Sequence, residues 1–168
     1  PIQFIVNTSF HTDHVGGNKK LQAAGADPSL TGSFFSNQFA DAGQGATVIG
    51  HQNVQTRMQE QKPPMETPPS DTYLEDRRRK YHNEEPVEIF PMPNAITDGD
   101  SIVLFRRSDV IVTGDIFTTT QYPFIDLKNG GSVQGEIQAL NFILDRTLYE
   151  HDEDNGTMII PGHGRVCN

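Results

Sequence analysis

Three segments of this chain share one design, in which a short apolar run leads into a turn that carries aspartate or histidine. The runs and the polar residues that follow them are 4–6 with Asp13 and His14, 110–113 with Asp115, and 158–160 with His163. In layered α/β proteins, rigid strands hold functional side chains at their ends, where loops expose them. We therefore expect these four polar side chains to converge on one site.

Imidazole and carboxylate ligands together suit a metal ion of borderline hardness, so zinc is the first expectation, with manganese or iron as alternatives. Asp13 and His14 are neighbours, and on an irregular loop both can reach one ion. Each aspartate also has a simpler interpretation. Asp13 could cap the helix that starts near Gly16, and Asp115 could belong to an ordinary turn. His163 lies between two glycines, which let the backbone hold the ring closely and favour a ligand role.

The spacing of apolar residues predicts alternating strands and helices, which is typical of a mixed α/β fold with a partly antiparallel sheet. Strands are expected at residues 2–6, 46–50, 87–90, 101–105, 109–112 and 157–160. Helices are expected at residues 16–24, 53–61 and 133–149. The last helix is expected to bury one stripe, formed by Val133, Ile137, Leu140, Ile143, Leu144 and Leu148.

Charge excludes some partner classes. The net charge of −9 comes from 13 basic and 22 acidic residues, whereas nucleic-acid binding needs clustered lysine and arginine. The stretch 62–86 is rich in proline and charge, so we predict a surface excursion. The basic run 77–80 within it lies between acidic residues and is predicted to be a solvated, self-neutralised loop. No apolar run approaches the roughly 20 residues that a membrane span needs. We expect a small-molecule substrate, and neither nucleic acid nor membrane as a partner.

Three further histidines are predicted to lie outside the metal centre. His51 begins a helix and should have a structural or supporting role, whereas His82 and His151 lie in charged stretches and should be solvated. The irregular stretches are candidates for substrate specificity. Their aromatic residues could line an apolar pocket or pack in the core, and these are Phe34, Phe35, Phe39, Tyr122 and Phe124.

Four ordered motifs resemble those of the metallo-β-lactamase superfamily. Residues 7–18 resemble the His-x-His-x-Asp-His signature that precedes Gly-Gly, and residues 95–100 resemble an Ala-His-Thr-Asp-Gly-Asp segment of one branch. Residues 113–115 and 161–164 resemble the later metal motifs. The resemblance covers essentially the whole chain. It implies an αββα sandwich with metals at one edge between two sheets, as a single domain over residues 1–168.

The chain opens inside a strand, at the strand that carries the first motif of the family. The resemblance implies that further N-terminal strands precede this strand in the family. We therefore expect the sequence to be a fragment of a longer chain, lacking those strands.

Two positions depart from the family pattern. Ser9 and Ile96 stand where the resemblance implies histidines that would join His11 in a three-histidine first metal site. Serine is a poor zinc ligand and isoleucine cannot bind a metal, so the first site is expected to be lost. The resemblance implies that the second site is complete, with Asp115 as the shared carboxylate beside Asp13, His14 and His163.

In the intact family, metal ions activate water for attack on an ester, amide or thioester carbonyl. The resemblance therefore implies a hydrolase with one zinc ion at the second site, acting on an ester, amide, lactam or thioester bond. His11 and Asp13 are the candidate catalytic residues. His11, freed from metal binding, suits the role of general base because the unperturbed pKa of histidine is about 6.5.

Two other interpretations stay open. The domain could be an inactive pseudoenzyme retained as a binding or scaffold module, with Ile96 as an apolar plug in the emptied site. It could also be an α/β domain that binds no metal.

Overall fold

The computed structural model describes residues 2–26, 45–147 and 156–168. Contacts divide the chain into two compact units, Pro1–Thr72 and Tyr73–Asn168. Each unit has its own sheet, and no helix in the described ranges has the length and apolar character to cross a membrane. The single domain over residues 1–168 stays a prediction.

The first unit is built on a small sheet whose order is β1-β2-β3. Strand β1 (Phe4–Asn7) runs parallel to β2 (Thr47–His51), and β3 (Asp71–Tyr73) lies at the end of the unit. The apolar, β-branched residues Val48 and Ile49 are fully buried, as expected for a central strand.

Outside residues 27–44, the first unit has three short helices: α1 (Thr12–Val15), α2 (Asn18–Ala24) and α3 (Gln52–Glu60). An apolar core cluster of this unit contains Phe10, Val15 of α1, and Val54 and Met58 of α3, with Met65 packed against it. Asn7 at the end of β1 and Asn18 at the start of α2 exchange side-chain hydrogen bonds of 2.8 and 2.9 Å. Both amides are 1% exposed, so this pair fixes the two ends of the loop that carries the first motif.

The second unit contains a five-stranded sheet in the order β4-β5-β6-β7-β8. Its strands are β4 (Arg78–His82), β5 (Glu85–Pro91), β6 (Ser101–Phe105), β7 (Val110–Thr118) and β8 (Met158–His163). Neighbouring strands are antiparallel except β7 and β8, which are parallel.

A 3-10 turn (Leu127–Asn129) and helix α4 (Val133–Leu144) lie between β7 and β8 in the chain. Helix α4 begins after Ser132, whose side chain accepts a hydrogen bond from the Gly135 backbone N–H. The core of the second unit is an apolar cluster made of Met92, Ala95, Ile96, Ile102, Ile111, Ile116, Ala139 and Ile143. We call this set the second-unit core.

The mixed α/β class is confirmed, and most predicted elements are found, with three corrections. The stretch 7–14, expected to be loop, contains most of helix α1. The predicted strands 109–112 and 157–160 are longer, because β7 continues to Thr118 and β8 to His163. The predicted helix 133–149 ends at Leu144, and residues 148–155 lie outside the described ranges.

The expectation that residues 62–86 form a surface excursion is wrong in part, because β3 and β4 lie in this stretch. The basic run is not a self-neutralised loop. Arg78–His82 form strand β4, whose register places Arg79 opposite Glu88 of β5. The polar residues of β4 do not indicate a strand by themselves, and they form one because their backbone pairs with β5.

The predicted buried stripe of α4 is also wrong in part. Val133, Ile137 and Leu144 are 54%, 52% and 62% exposed, whereas Ile143 is buried as expected. The buried side of α4 is formed by Gly135, Glu136, Ala139 and Ile143. A Cβ on Gly135 would clash with the Asn94 backbone carbonyl, so the helix approaches the rest of the unit on its small-residue side.

Candidate metal centre

The first His–Asp pair lies in the loop after β1. Asp13 is in the first turn of α1 and His14 follows it, with 3.7 Å between Asp13 Oδ2 and His14 Nε2. The Asp13 side chain is 52% exposed, whereas that of His14 is 12% exposed. The alternative that Asp13 caps the following helix is not supported, because Gly17 is the N-cap of α2 and no side chain caps it.

Thr8 orients the His14 ring. Its Oγ1 lies 3.2 Å from His14 Nδ1, so an imidazole protonated on Nδ1 donates to the hydroxyl and leaves Nε2 as the electron-pair donor beside Asp13. This contact spans six positions with no periodic signal, so sequence reasoning missed it. Only the tight turn at the start of α1 brings the two side chains together.

His11 is the N-cap residue of α1, with φ −58° and ψ 146°. Its side chain makes no capping hydrogen bond, and its ring centroid lies 4.9 Å from that of Phe10, which is buried in the first-unit core. The backbone of His11 accepts from the His14 and Val15 N–H groups. The imidazole therefore packs on Phe10 and does not cap the helix.

The second His–Asp pair is formed by neighbouring parallel strands. Asp115 lies in β7 and His163 is the last residue of β8, with 3.4 Å between Asp115 Oδ1 and His163 Nε2. Asp115 is therefore not the turn residue of the simpler interpretation. The register of the two strands shifts between Val112 and Gly114 and again before Thr118, and these irregularities bring the two side chains together.

The glycines on either side of His163 are required by the backbone. A Cβ on Gly162 would lie 2.7 Å from the Gly114 carbonyl carbon and 2.8 Å from Asp115 Oδ1. Gly164 has φ +103°, which side-chain-bearing residues rarely adopt, and a Cβ there would clash with the Thr119 hydroxyl. Only glycine at these positions allows β8 to approach β7 so closely beside the second pair.

Within the described ranges, the histidines and aspartates that could hold a metal ion include two pairs, one in each unit. Zinc–ligand distances of about 2.0–2.2 Å in a tetrahedral set place two ligand atoms roughly 3.3–3.5 Å apart. The separations of 3.4 and 3.7 Å within the two pairs are close to this value. In donor type and spacing, each pair suits a divalent ion of the zinc class.

The two positions that depart from the family pattern are both buried. Ser9 is 1% exposed, and its hydroxyl has no hydrogen-bond partner within the described ranges. Ile96 is also 1% exposed and belongs to the second-unit core. Neither position offers a side chain that can replace an imidazole as a ligand.

The other predicted residues have separate positions. His51 is the N-cap of α3, where its Nδ1 accepts from the Asn53 N–H at 3.3 Å, in agreement with a structural role. His82 is half-buried in β4 rather than solvated in a loop. His151, Phe34, Phe35 and Phe39 lie outside the described ranges. Tyr122 and Phe124 are 96% and 72% exposed, so they do not pack in the core.

Tyr122 also lines an apolar cleft of about 450 Å³ in the second unit. Ile116, Phe117, Pro123 and Leu140 form much of the rest of its wall, together with Thr118, Thr119, Thr120 and Gln121. The Thr119 N–H donates to the His163 backbone carbonyl at 3.1 Å. The wall of this cleft is therefore connected directly to the strand end that carries the second pair.

Solved structures with a similar fold are metallo-β-lactamases. The metallo-β-lactamase from Pontibacter korlensis aligns with a TM-score of 0.66 and 13% identity, over 100% of this chain and 64% of that one. The DIM-1 metallo-β-lactamase aligns with a TM-score of 0.63 and 15% identity, over 97% and 62%. The BLEG-1 B3 metallo-β-lactamase aligns with a TM-score of 0.64 and 16% identity, over 98% and 71%.

This chain therefore spans less than two thirds of the length of the first two of these structures. At such low identity the likeness concerns the fold alone, and it confirms the expected metallo-β-lactamase-type fold. A comparison with curated proteins finds no match. The model of the metallo-β-lactamase superfamily matches residues 1–164. The chain belongs to the metallo-β-lactamase superfamily.

Proposed function

We propose that this protein is a hydrolase that uses one divalent metal ion, with zinc as the expected metal. The proposed ligands are Asp13, His14, Asp115 and His163. The observation that carries the proposal is the presence of two His–Asp pairs with donor separations of 3.7 and 3.4 Å, each in a segment whose sequence resembles a metal motif of the family.

Each pair is supported by its own surroundings. The Thr8 hydroxyl lies 3.2 Å from His14 Nδ1, where it can accept a hydrogen bond from the tautomer that would bind a metal through Nε2. The two glycines around His163 hold its backbone against β7. Such fixed geometry is typical of metal ligands, because a site loses affinity for its metal when the surrounding groups no longer orient the ligands.

A zinc ion bound there would lower the pKa of a coordinated water towards about 7 and polarise a substrate carbonyl. His11 is the proposed general base, because it is the N-cap residue of α1, two positions before Asp13. Asp13 would both bind the metal and orient the attacking water. The proposed substrates have an ester, amide, lactam or thioester bond.

The metal content of the purified protein tests the proposal. We expect one zinc ion per chain by elemental analysis and native mass spectrometry. His163→Ala should abolish stoichiometric binding, whereas His82→Ala, which changes a histidine of β4, should retain one ion and serves as the matched control. Two ions, or none after zinc addition, would contradict the proposal.

Catalysis is tested separately with His11→Ala. The variant should still bind one zinc ion but hydrolyse a chromogenic β-lactam, ester or thioester at least about 100-fold more slowly, which is the usual contribution of a general base. Wild-type kcat/KM in this variant, with full metal loading, would exclude His11 as the base.

A second candidate function is a pseudoenzyme that serves as a binding or scaffold module. The position of Ile96 favours it, because an apolar residue of the second-unit core stands where the family pattern has a ligand. Ser9→His combined with Ile96→His separates the candidates. If only this double variant hydrolyses the test substrates, the natural chain is inactive. If the natural chain hydrolyses them already, the pseudoenzyme is excluded.

A further inference from the structure

Three arginines of the second unit meet at one buried carboxylate. Arg79 Nη2 and Nε lie 2.6 and 3.0 Å from Glu88 Oε1, and Arg77 Nη1 lies 3.4 Å from the same oxygen. Arg106 Nη1 lies 3.8 Å from Glu88 Oε2. The Glu88 side chain is 4% exposed, whereas those of Arg77, Arg79 and Arg106 are 49%, 55% and 57% exposed. We call these three residues the arginine cluster.

Strand register explains why the cluster forms. Glu88 of β5 pairs with Arg79 of β4 on one side and with Leu104 of β6 on the other. Arg77 directly precedes β4, two positions from Arg79, and Arg106 directly follows β6, two positions from Leu104. Because side chains two positions apart in extended chain point to the same side, both arginines can reach Glu88. The arginines come from two segments, at and beside the ends of β4 and β6, and Glu88 of β5 lies between these strands, so the cluster is not a flexible tail.

The cluster holds more positive charge than its carboxylate neutralises. Three guanidinium groups face one carboxylate, which leaves a surplus of two positive charges. Within residues 2–26, 45–147 and 156–168, Glu88 is the acidic partner of all three. The chain as a whole has more acidic than basic residues and a net charge of −9, so a local surplus of positive charge is unusual in it.

The unused hydrogen-bond donors point to a ligand class. A guanidinium group has five N–H donors in a planar fork that matches the oxygens of phosphate or carboxylate. Arg79 gives two donor atoms to Glu88, Arg77 gives one, and Arg106 lies beyond hydrogen-bond distance. Both arginines that donate to Glu88 use Oε1, and Arg106 makes no hydrogen bond to either oxygen, so Glu88 does not account for the N–H donors of Arg106.

We propose that Arg77, Arg79 and Arg106 form a binding site for a doubly charged oxyanion such as a phosphate group, with Glu88 holding the guanidinium groups in position. The ligand would receive donors from the exposed side of the cluster while Glu88 remains bound beneath it. Charge balance favours a dianion, because it would neutralise the surplus of two positive charges.

Inorganic phosphate is the probe for the test. The full chain, titrated at constant ionic strength, should show saturable shifts of the arginine Nε–H resonances of the cluster by NMR, whereas chloride should not produce them. Acetate, with a single charge, should bind at least about tenfold more weakly. Equal affinity for acetate, or no saturable shift with phosphate, would overturn the proposal.

Arg106→Gln separates ligand binding from a structural role. Because Arg106 makes no hydrogen bond to Glu88, its loss should leave the unfolding midpoint unchanged but lower phosphate affinity about tenfold. Arg107→Gln is the matched control, since Arg107 pairs with the exposed Glu84 and lies outside the cluster. Wild-type phosphate affinity in Arg106→Gln, or an equal loss in Arg107→Gln, would overturn the proposal.

Discussion

Glu136→Gln should make the protein more stable at pH 8 and leave it almost unchanged near pH 4.5. Glu136 lies on the buried side of α4 with 5% of its surface exposed, and neither carboxyl oxygen has a hydrogen-bond partner within the described ranges. Burial, and secondarily the nearby Asp100, raise the pKa of Glu136 from 4.5 to about 7. The folded protein therefore binds this proton more tightly than the unfolded chain does.

The size of the effect follows from linkage. Below pH 4.5 Glu136 is protonated in both the folded and the unfolded protein, so its ionisation does not lower the free energy of unfolding. Between pH 4.5 and 7 the unfolded chain loses its proton first, and the free energy of unfolding falls as pH rises. At about 1.4 kcal/mol per unit of pKa, the loss above pH 7 amounts to roughly 3 kcal/mol. Glutamine resembles the protonated acid and avoids this penalty.

Urea unfolding of the wild type and the variant at several pH values measures the difference directly. We expect the gain in the variant to rise from near zero at pH 4.5 to about 3 kcal/mol at pH 8. Glu60→Gln, which changes an exposed carboxylate at the end of α3, is the control and should show no such trend. A gain that does not depend on pH, or a less stable variant at pH 8, would refute the reasoning.

Three further changes test particular contacts. Thr8→Val removes the hydroxyl beside His14 Nδ1 and should weaken zinc binding about 10–100-fold in a chelator competition assay; unchanged affinity would exclude this orienting role. Gly162→Ala should lower the free energy of unfolding by about 1–3 kcal/mol, because its Cβ would meet the neighbouring strand; wild-type stability would contradict this. Tyr73→Phe removes a hydroxyl that lies 2.5 Å from Ser101 Oγ and should lower the free energy of unfolding by about 1 kcal/mol. Burial raises the pKa of Tyr73 to about 12, so spectrophotometric titration of the variant should lack the tyrosine that ionises in this range.

The strands of the fold were largely predictable, because buried β-branched runs such as those of β1, β2, β6 and β7 leave a clear signal in sequence. Strand β4 was not predictable, because its polar residues become a strand only through pairing with β5. The buried side of α4 was not predictable either. Val133, Ile137 and Leu144 lie away from the side formed by Gly135 and Ala139, and the close approach at Gly135 favours burial of the small-residue side.

The two His–Asp pairs were predictable in different ways. Asp13 and His14 are adjacent in sequence, so any compact loop keeps them close. Asp115 and His163 are brought together by the parallel pairing of β7 and β8, which the apolar runs before them suggested. The contact between Thr8 and His14 could not be predicted, because it depends on the path of one turn. The burial of Glu136 could not be predicted either, because a glutamate in a helix is usually exposed.

The burial of Ile96 has a consequence for how the second unit folds. A histidine at this position would carry ring nitrogens into an apolar cluster, where an unsatisfied polar group costs about 1–3 kcal/mol unless it finds a partner such as a metal ion. Isoleucine has no polar side-chain atom, so it needs no such partner. We therefore expect the second-unit core to pack without a metal ion at this position.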